Sequence, residues 1–254
     1  MAKTLLLMRQ FALNDFRLGA RDSFLVMMAG MALAIGIVFR FLLPWADIYL
    51  AEAGLLPNPA TNLRLSDLYP MLVSFIGVFQ SAVLVGAIFG FLFLDEKDGD
   101  TLRALLVTPV RFSTYLAYRL TMPAIVTFLL TLVIVPLIGQ AQIGWPKLVV
   151  VAAGASPAAS LIVLFYALTA ENKVQGFAMA KFVAIAGWII PVAWFLPDPW
   201  QWLAALFPPY LAHKAYWMAE AGAAYWWLPL AAGFVWQIAV LAIMAKRFHT
   251  SVRA

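Results

Sequence analysis

The chain has 254 residues, 65% of them hydrophobic and only 11% charged, with no cysteine and a formal net charge of +5. A soluble domain carries about 25% charged residues, so a water-soluble globule of this composition would expose large apolar patches. Without cysteine there is no disulfide framework, no thiolate metal site and no thiol nucleophile, and the two histidines, His213 and His249, make no spaced ligand pair.

At the N-terminus, Lys3, Arg9, Arg17 and Arg21 alternate with large apolar residues. On a helical wheel Gln10, Asn14 and Arg17 gather opposite most of those apolar side chains, which predicts a helix over 1–22 lying in the membrane interface. A secretory signal fits poorly, because the long apolar run starts only at Phe24 and no small-residue cleavage site follows it. Six apolar runs then appear at about 24–43, 70–94, 113–138, 148–170, 175–196 and 226–245. Each is long enough for a helix to cross about 30 Å of hydrocarbon, which takes roughly 20 residues. Backbone groups in lipid must be bonded within the segment, so the expected fold is an all-α integral membrane protein of six transmembrane helices. Pro123, Pro136, Pro157 and Pro191 predict kinks or shortened ends. The stretch 197–225 is too broken by proline to span, and reads as short helices at Trp200–Phe207 and Tyr210–Ala221 on or dipping into the outer face.

The basic residues set the orientation. With both termini in the cytoplasm, only Arg40, Arg64, Lys147 and Lys214 of the 17 Lys and Arg fall outside, a strong positive-inside bias. The sign fits the anionic inner surface of a bacterial-type cytoplasmic membrane. The basic residues sit between apolar runs rather than in a stripe with interleaved aromatics, which argues against nucleic acid. Tryptophan gives a second asymmetry: all but Trp188 and Trp236 lie at or beyond outer span ends, as an aromatic belt requires.

No Asp or Glu lies near the middle of a run, whereas ion-coupled carriers usually keep such groups there. Lys181 is the ionisable residue read as lying well inside a run, and a lysine snorkelling to the inner surface is its simplest reading. No G-x-x-x-x-G-K-[ST] phosphate loop and no catalytic cluster is present, so the chain is not expected to be an enzyme. If it drives transport, the energy comes from a partner. The connection at 95–112 is where a partner could act: Asp95, Glu96, Lys97, Asp98, Asp100, Thr101, Leu102, Arg103, Leu105 and Pro109 lie in it. Asp100 or Thr101 can cap a short helix, Leu102 and Leu105 share an apolar face, and Pro109 stops it. A charge run alone is more often a solvated loop. EF-hand spacing is absent, so calcium is not its ligand. In the second run, Gly86-x-x-x-Gly90 matches the small-residue motif for close helix approach, which favours intrachain packing over a dimer contact.

An interfacial N-terminal helix, six spans, and Glu96 followed by Asp100-Thr101-Leu102 and Thr108-Pro109 resemble the type-2 ABC exporter permease family. The strings Phe93-Leu94-Asp95-Glu96-Lys97-Asp98, Asn172-Lys173-Val174-Gln175-Gly176-Phe177 and Phe207-Pro208-Pro209-Tyr210 look like its fluoroquinolone-export subgroup. Gly99-Asp100 departs from the more usual acidic-then-glycine order. The resemblance implies a transport subunit that pairs with a second copy or a sibling permease. It also implies a separate ABC ATPase subunit that binds ATP and Mg²⁺ and docks on a coupling helix in 95–112. Cargo would be drug-like, lipid-like or haem-like. By the same analogy spans two and five line the path, making Phe75, Phe79, Gln80, Phe182 and Trp188 lining candidates, although aromatics at helical spacing more often simply pack. A stand-alone channel or secondary carrier, or a membrane anchor with no transport cycle, is the alternative.

Overall fold

The computed structural model describes residues 21, 23–57, 63–99 and 112–251. The expected interfacial helix over 1–22 therefore lies, save for its end, outside the described residues. So do Asp100, Thr101, Leu102, Arg103, Leu105 and Pro109 of the expected coupling segment. The described chain is helical, with no strand among the described residues. Among these residues, six helices are long and apolar enough to cross a membrane.

Helix α1 (Ser23–Glu52) is 30 residues long and runs on through Pro44, where the sequence reading ended it near 43. At a rise of about 1.5 Å per residue it reaches about 45 Å, beyond the hydrocarbon thickness. Proline removes one backbone bond but does not stop a helix whose other bonds continue. Helix α2 (Leu65–Asp98) also starts earlier than expected. Its first turn is a 3₁₀ turn over Leu65–Leu68, where Asp67 Oδ2 accepts the Arg64 backbone N–H at 2.8 Å.

Helix α3 (Phe112–Ile138) is continuous through Pro123 and Pro136, so the kinks expected there do not interrupt it. The other two prolines do mark breaks. Helix α4 (Trp145–Thr169) is jointed at Ser156, with Pro157 opening its second half at the position where a missing N–H costs least. Helix α5 (Lys173–Trp194) is jointed at Trp188, three residues before Pro191. Its start is capped by Asn172 Oδ1, which accepts from the Gln175 backbone N–H at 3.0 Å. A 3₁₀ turn (Trp200–Leu206) and helix α6 (Tyr210–Glu220) fill the stretch where short outer helices were expected. Helix α7 (Trp227–Ser251) is the last span.

The spans form a bundle with α2 and α4 at its centre. Within α4 78% of the apolar window is buried and within α2 67%, against 22% in α1 and α7. Lipid is as apolar as leucine, so close packing rather than the hydrophobic effect holds such helices together. The Gly86/Gly90 motif does that work inside the chain. A Cβ on Gly86 would lie 2.7 Å from Ile162 Cβ, and one on Gly90 would run into the Tyr166 ring, both on α4. Most of helix α6 is buried, so it dips into the bundle. Trp217 Nε1–H donates to Ser74 Oγ at 2.8 Å, Lys147 Nζ donates to the Ala219 carbonyl at 3.0 Å, and the Gln142 backbone N–H donates to Glu220 Oε1 at 2.8 Å. It thus ties the starts of α2 and α4 together at the tryptophan-rich end.

Candidate functional site

Two regions combine chemistry or space with the residues singled out in the sequence. One is at the lysine- and arginine-rich end, where α2 runs into the connection. Three consecutive residues of its last turns reach three different helices. Asp95 Oδ2 pairs with Lys173 Nζ at 2.8 Å, at the start of α5. Glu96 pairs with the Arg119 guanidinium and accepts from the Tyr115 hydroxyl, both on α3. Lys97 Nζ donates to the carbonyls of Ala167 and Ala170 at 3.3 and 2.8 Å, at the end of α4. Those carbonyls are among the last of the helix, where intrahelical donors run out and a lysine is favourably placed against the helix dipole. Asp98, the last residue of the helix, is exposed, and Gly99 closes it by donating to the Asp95 carbonyl at 3.0 Å. Asp95, Glu96 and Lys97 are therefore engaged inside the chain.

Arg119 and Tyr115 are the residues that reading the sequence missed. Arg119 was counted simply as an inner-surface charge, yet its side chain is 2% exposed. It lies two turns into α3, with Tyr115 one turn before it and the Tyr115 and Tyr118 rings against its guanidinium at 5.5 and 5.7 Å. An arginine that deep inside an apolar run, preceded by Tyr at i−4, was the available signal.

The second region is an aromatic seam opening on an apolar cavity. In α2, residues Phe75–Phe79 form one π turn, with the Gln80 backbone N–H bonded to the Phe75 carbonyl five residues back. Such turns re-aim side chains and recur at functional sites. Here the Phe75 and Phe79 rings are stacked at 5.6 Å. Phe75 also meets Trp188 of α5 at 6.0 Å, and Phe79 meets Phe207 and His213 at 6.0 Å each. Gly187 allows this approach, since any Cβ there would run into the Phe79 ring. Beside the seam lies a cavity of about 530 Å³ bounded by α2, α4, α5, α7 and the Phe207–Pro209 turn. Phe79, Ile162, Phe165, Phe182, Ala186 and Val240 are among its lining residues, and no lining side chain is ionisable. The structure thus brings Phe79 and Phe182 to one cavity and joins Phe75 and Trp188 to its edge. Gln80 is half-buried in the next turn of α2. Phe207 is a lining residue the sequence reading left out.

Burial tunes two groups in α6, outside the spans. The His213 imidazole is pushed down to about 3 by loss of solvation and is neutral. The Glu220 carboxyl is pushed up by burial, against the lowering effect of the Gln142 N–H and the Tyr216 hydroxyl.

The model of the family described as "Fluoroquinolones export permease protein Rv2686c-like" matches residues 15–245 of the chain. The chain belongs to this fluoroquinolone-export permease family. Two curated relatives from Mycobacterium tuberculosis are each 30% identical over 243 residues, covering 94% of this chain and 92% of their own length. They are named fluoroquinolones export permease protein Rv2686c (strain H37Rv) and MT2760 (strain CDC 1551). No solved structure matches the chain. As a permease of this family with six apolar helices, the chain is a multi-pass membrane protein and the membrane permease of an exporter. The matched residues run from before α1 to within α7 and so include the contacts described at the end of α2 and the cavity.

Proposed function

We propose that the chain is the membrane-spanning subunit of an ATP-binding cassette exporter, and that it carries drug-like amphipathic cargo of the fluoroquinolone type out through the cytoplasmic membrane. ATP and Mg²⁺ are handled by a separate ATPase subunit docked at the inner surface, on the 95–112 segment. A second copy or a sibling permease completes the path, and both termini are cytoplasmic. The sequence supports this division of labour: it has no phosphate loop, and no acidic residue at mid-membrane to harvest an ion gradient. The family's membership and its relatives' names support the cargo class.

The observation that carries the reading is the apolar cavity beside the π turn. Its volume is in the range of small-molecule sites, about 300–1,000 Å³, and aromatic rings border it on α2, α4 and α5. A flat aromatic cargo fits such walls by stacking. The test is to fill the space. Ala186→Trp should lower cargo transport by about tenfold, the loss expected when about 1.4 kcal/mol of binding is removed. It should leave assembly with the ATPase intact. Unchanged transport in a correctly assembled Ala186→Trp complex would place the path elsewhere.

A further inference from the structure

The three inner-end contacts of α2 sit at one end of the connection, and two of their partners sit just past its other end. Glu96 precedes residues 99–111, and Tyr115 and Arg119 follow them. The Glu96–Arg119 pair therefore closes the connection into a loop whose two ends are fixed to each other. Stability alone is a weak explanation for such a pair. Desolvating a guanidinium and a carboxylate costs several kcal/mol each, and apolar replacements of similar volume are often as stable or more so. A buried ion pair does fix relative position, because its hydrogen-bonding geometry admits few arrangements.

We propose that Glu96, Arg119 and Tyr115 form a clamp that makes α2 and α3 move as one body when the connection is displaced. Asp95 and Lys97 hand the same movement to α5 and α4, through Lys173 and the Ala167 and Ala170 carbonyls. Helices α2, α4 and α5 also border the apolar cavity, so a displacement at the inner surface reaches its walls. Glu96 and Arg119 are positioning residues, acting on cargo only through the helices they join. This inference rests on the ATP-driven reading above.

The test uses the permease with its ATPase in lipid vesicles, a fluorescent fluoroquinolone as cargo, and cargo moved per ATP hydrolysed as readout. The double variant Glu96→Leu/Arg119→Met removes both charges at similar volume. It should assemble and resist heat like the wild type, while cargo per ATP falls by about tenfold or more at a near-normal hydrolysis rate. A double variant that assembles and moves cargo per ATP as the wild type does overturns the clamp. If that variant does not assemble, Tyr115→Phe decides, since it removes one hydroxyl only: a fall of about threefold supports the clamp and no change overturns it. The wild-type control separates this from the parent reading. A wild-type complex that shows no ATP-driven transport sinks the exporter reading, and the clamp with it.

Discussion

At the scale of single residues, burial favours the neutral form of two groups in α6 and so moves their pKa values in opposite directions. His213 is neutral in the fold with its pKa near 3, against an ordinary value of 6.5. The unfolded chain takes up a proton below about 6.5 while the fold does not, so this residue costs stability as pH falls from 6.5 toward 3. Thermal unfolding of His213→Leu should show a flatter acid limb than the wild type, and an unchanged limb would mean His213 is solvated. Glu220 acts the other way. Its raised carboxyl holds a proton more tightly in the fold, so stability is present at low pH and is lost as pH rises above its ordinary value of 4.5 and through the folded value. Glu220→Gln keeps an acceptor for the Gln142 N–H and removes the charge. It should therefore raise the unfolding temperature at pH 7 and make little difference at pH 4. A lower unfolding temperature at pH 7 would contradict that sign.

Among the elements, the α2–α4 contact is the most tightly specified. Any side chain at Gly86 or Gly90 meets Ile162, the Ala159 carbonyl or Tyr166. Gly86→Val should cost about 1–3 kcal/mol, the usual price of overpacking a filled core, read as a loss of resistance to unfolding in detergent. A neutral result would place these glycines at an outward face. The six spans, the short helical turns between the last two of them and the joints near Pro157 and Pro191 were legible in the sequence, because hydropathy and proline act locally. The ends of α1 and α2 were not. Nothing local to Pro44 says that the helix resumes beyond it, and the start of α2 depends on the Arg64–Asp67 contact. The candidate site was legible in part. Phe79 and Phe182 were lining candidates through the family resemblance alone, and the π turn that brings Phe79 against Phe207 leaves no mark in hydropathy. Asp95, Glu96 and Lys97 stood out as charges, yet their partners lie 19 or more residues away on other helices. No periodicity reveals such pairings, which is why Arg119 was taken for a surface charge.

For the whole molecule, the architecture is a bundle whose buried centre, α2 and α4, is tied by polar contacts at both ends and flanked by helices with exposed apolar faces. The absence of native cysteine makes its orientation directly measurable. A membrane-impermeant thiol reagent added to intact cells should label Ala53→Cys and not Glu171→Cys; the reverse pattern would invert the topology. In the proposed function the force comes from a separate ATPase, in keeping with a sequence that has no phosphate loop and no acidic residue at mid-membrane. The decisive measurement is fluoroquinolone movement into sealed vesicles holding the purified permease, with and without its ATPase. The account predicts ATP-dependent accumulation only when both proteins are present. Accumulation driven by the permease alone, without nucleotide, would contradict it.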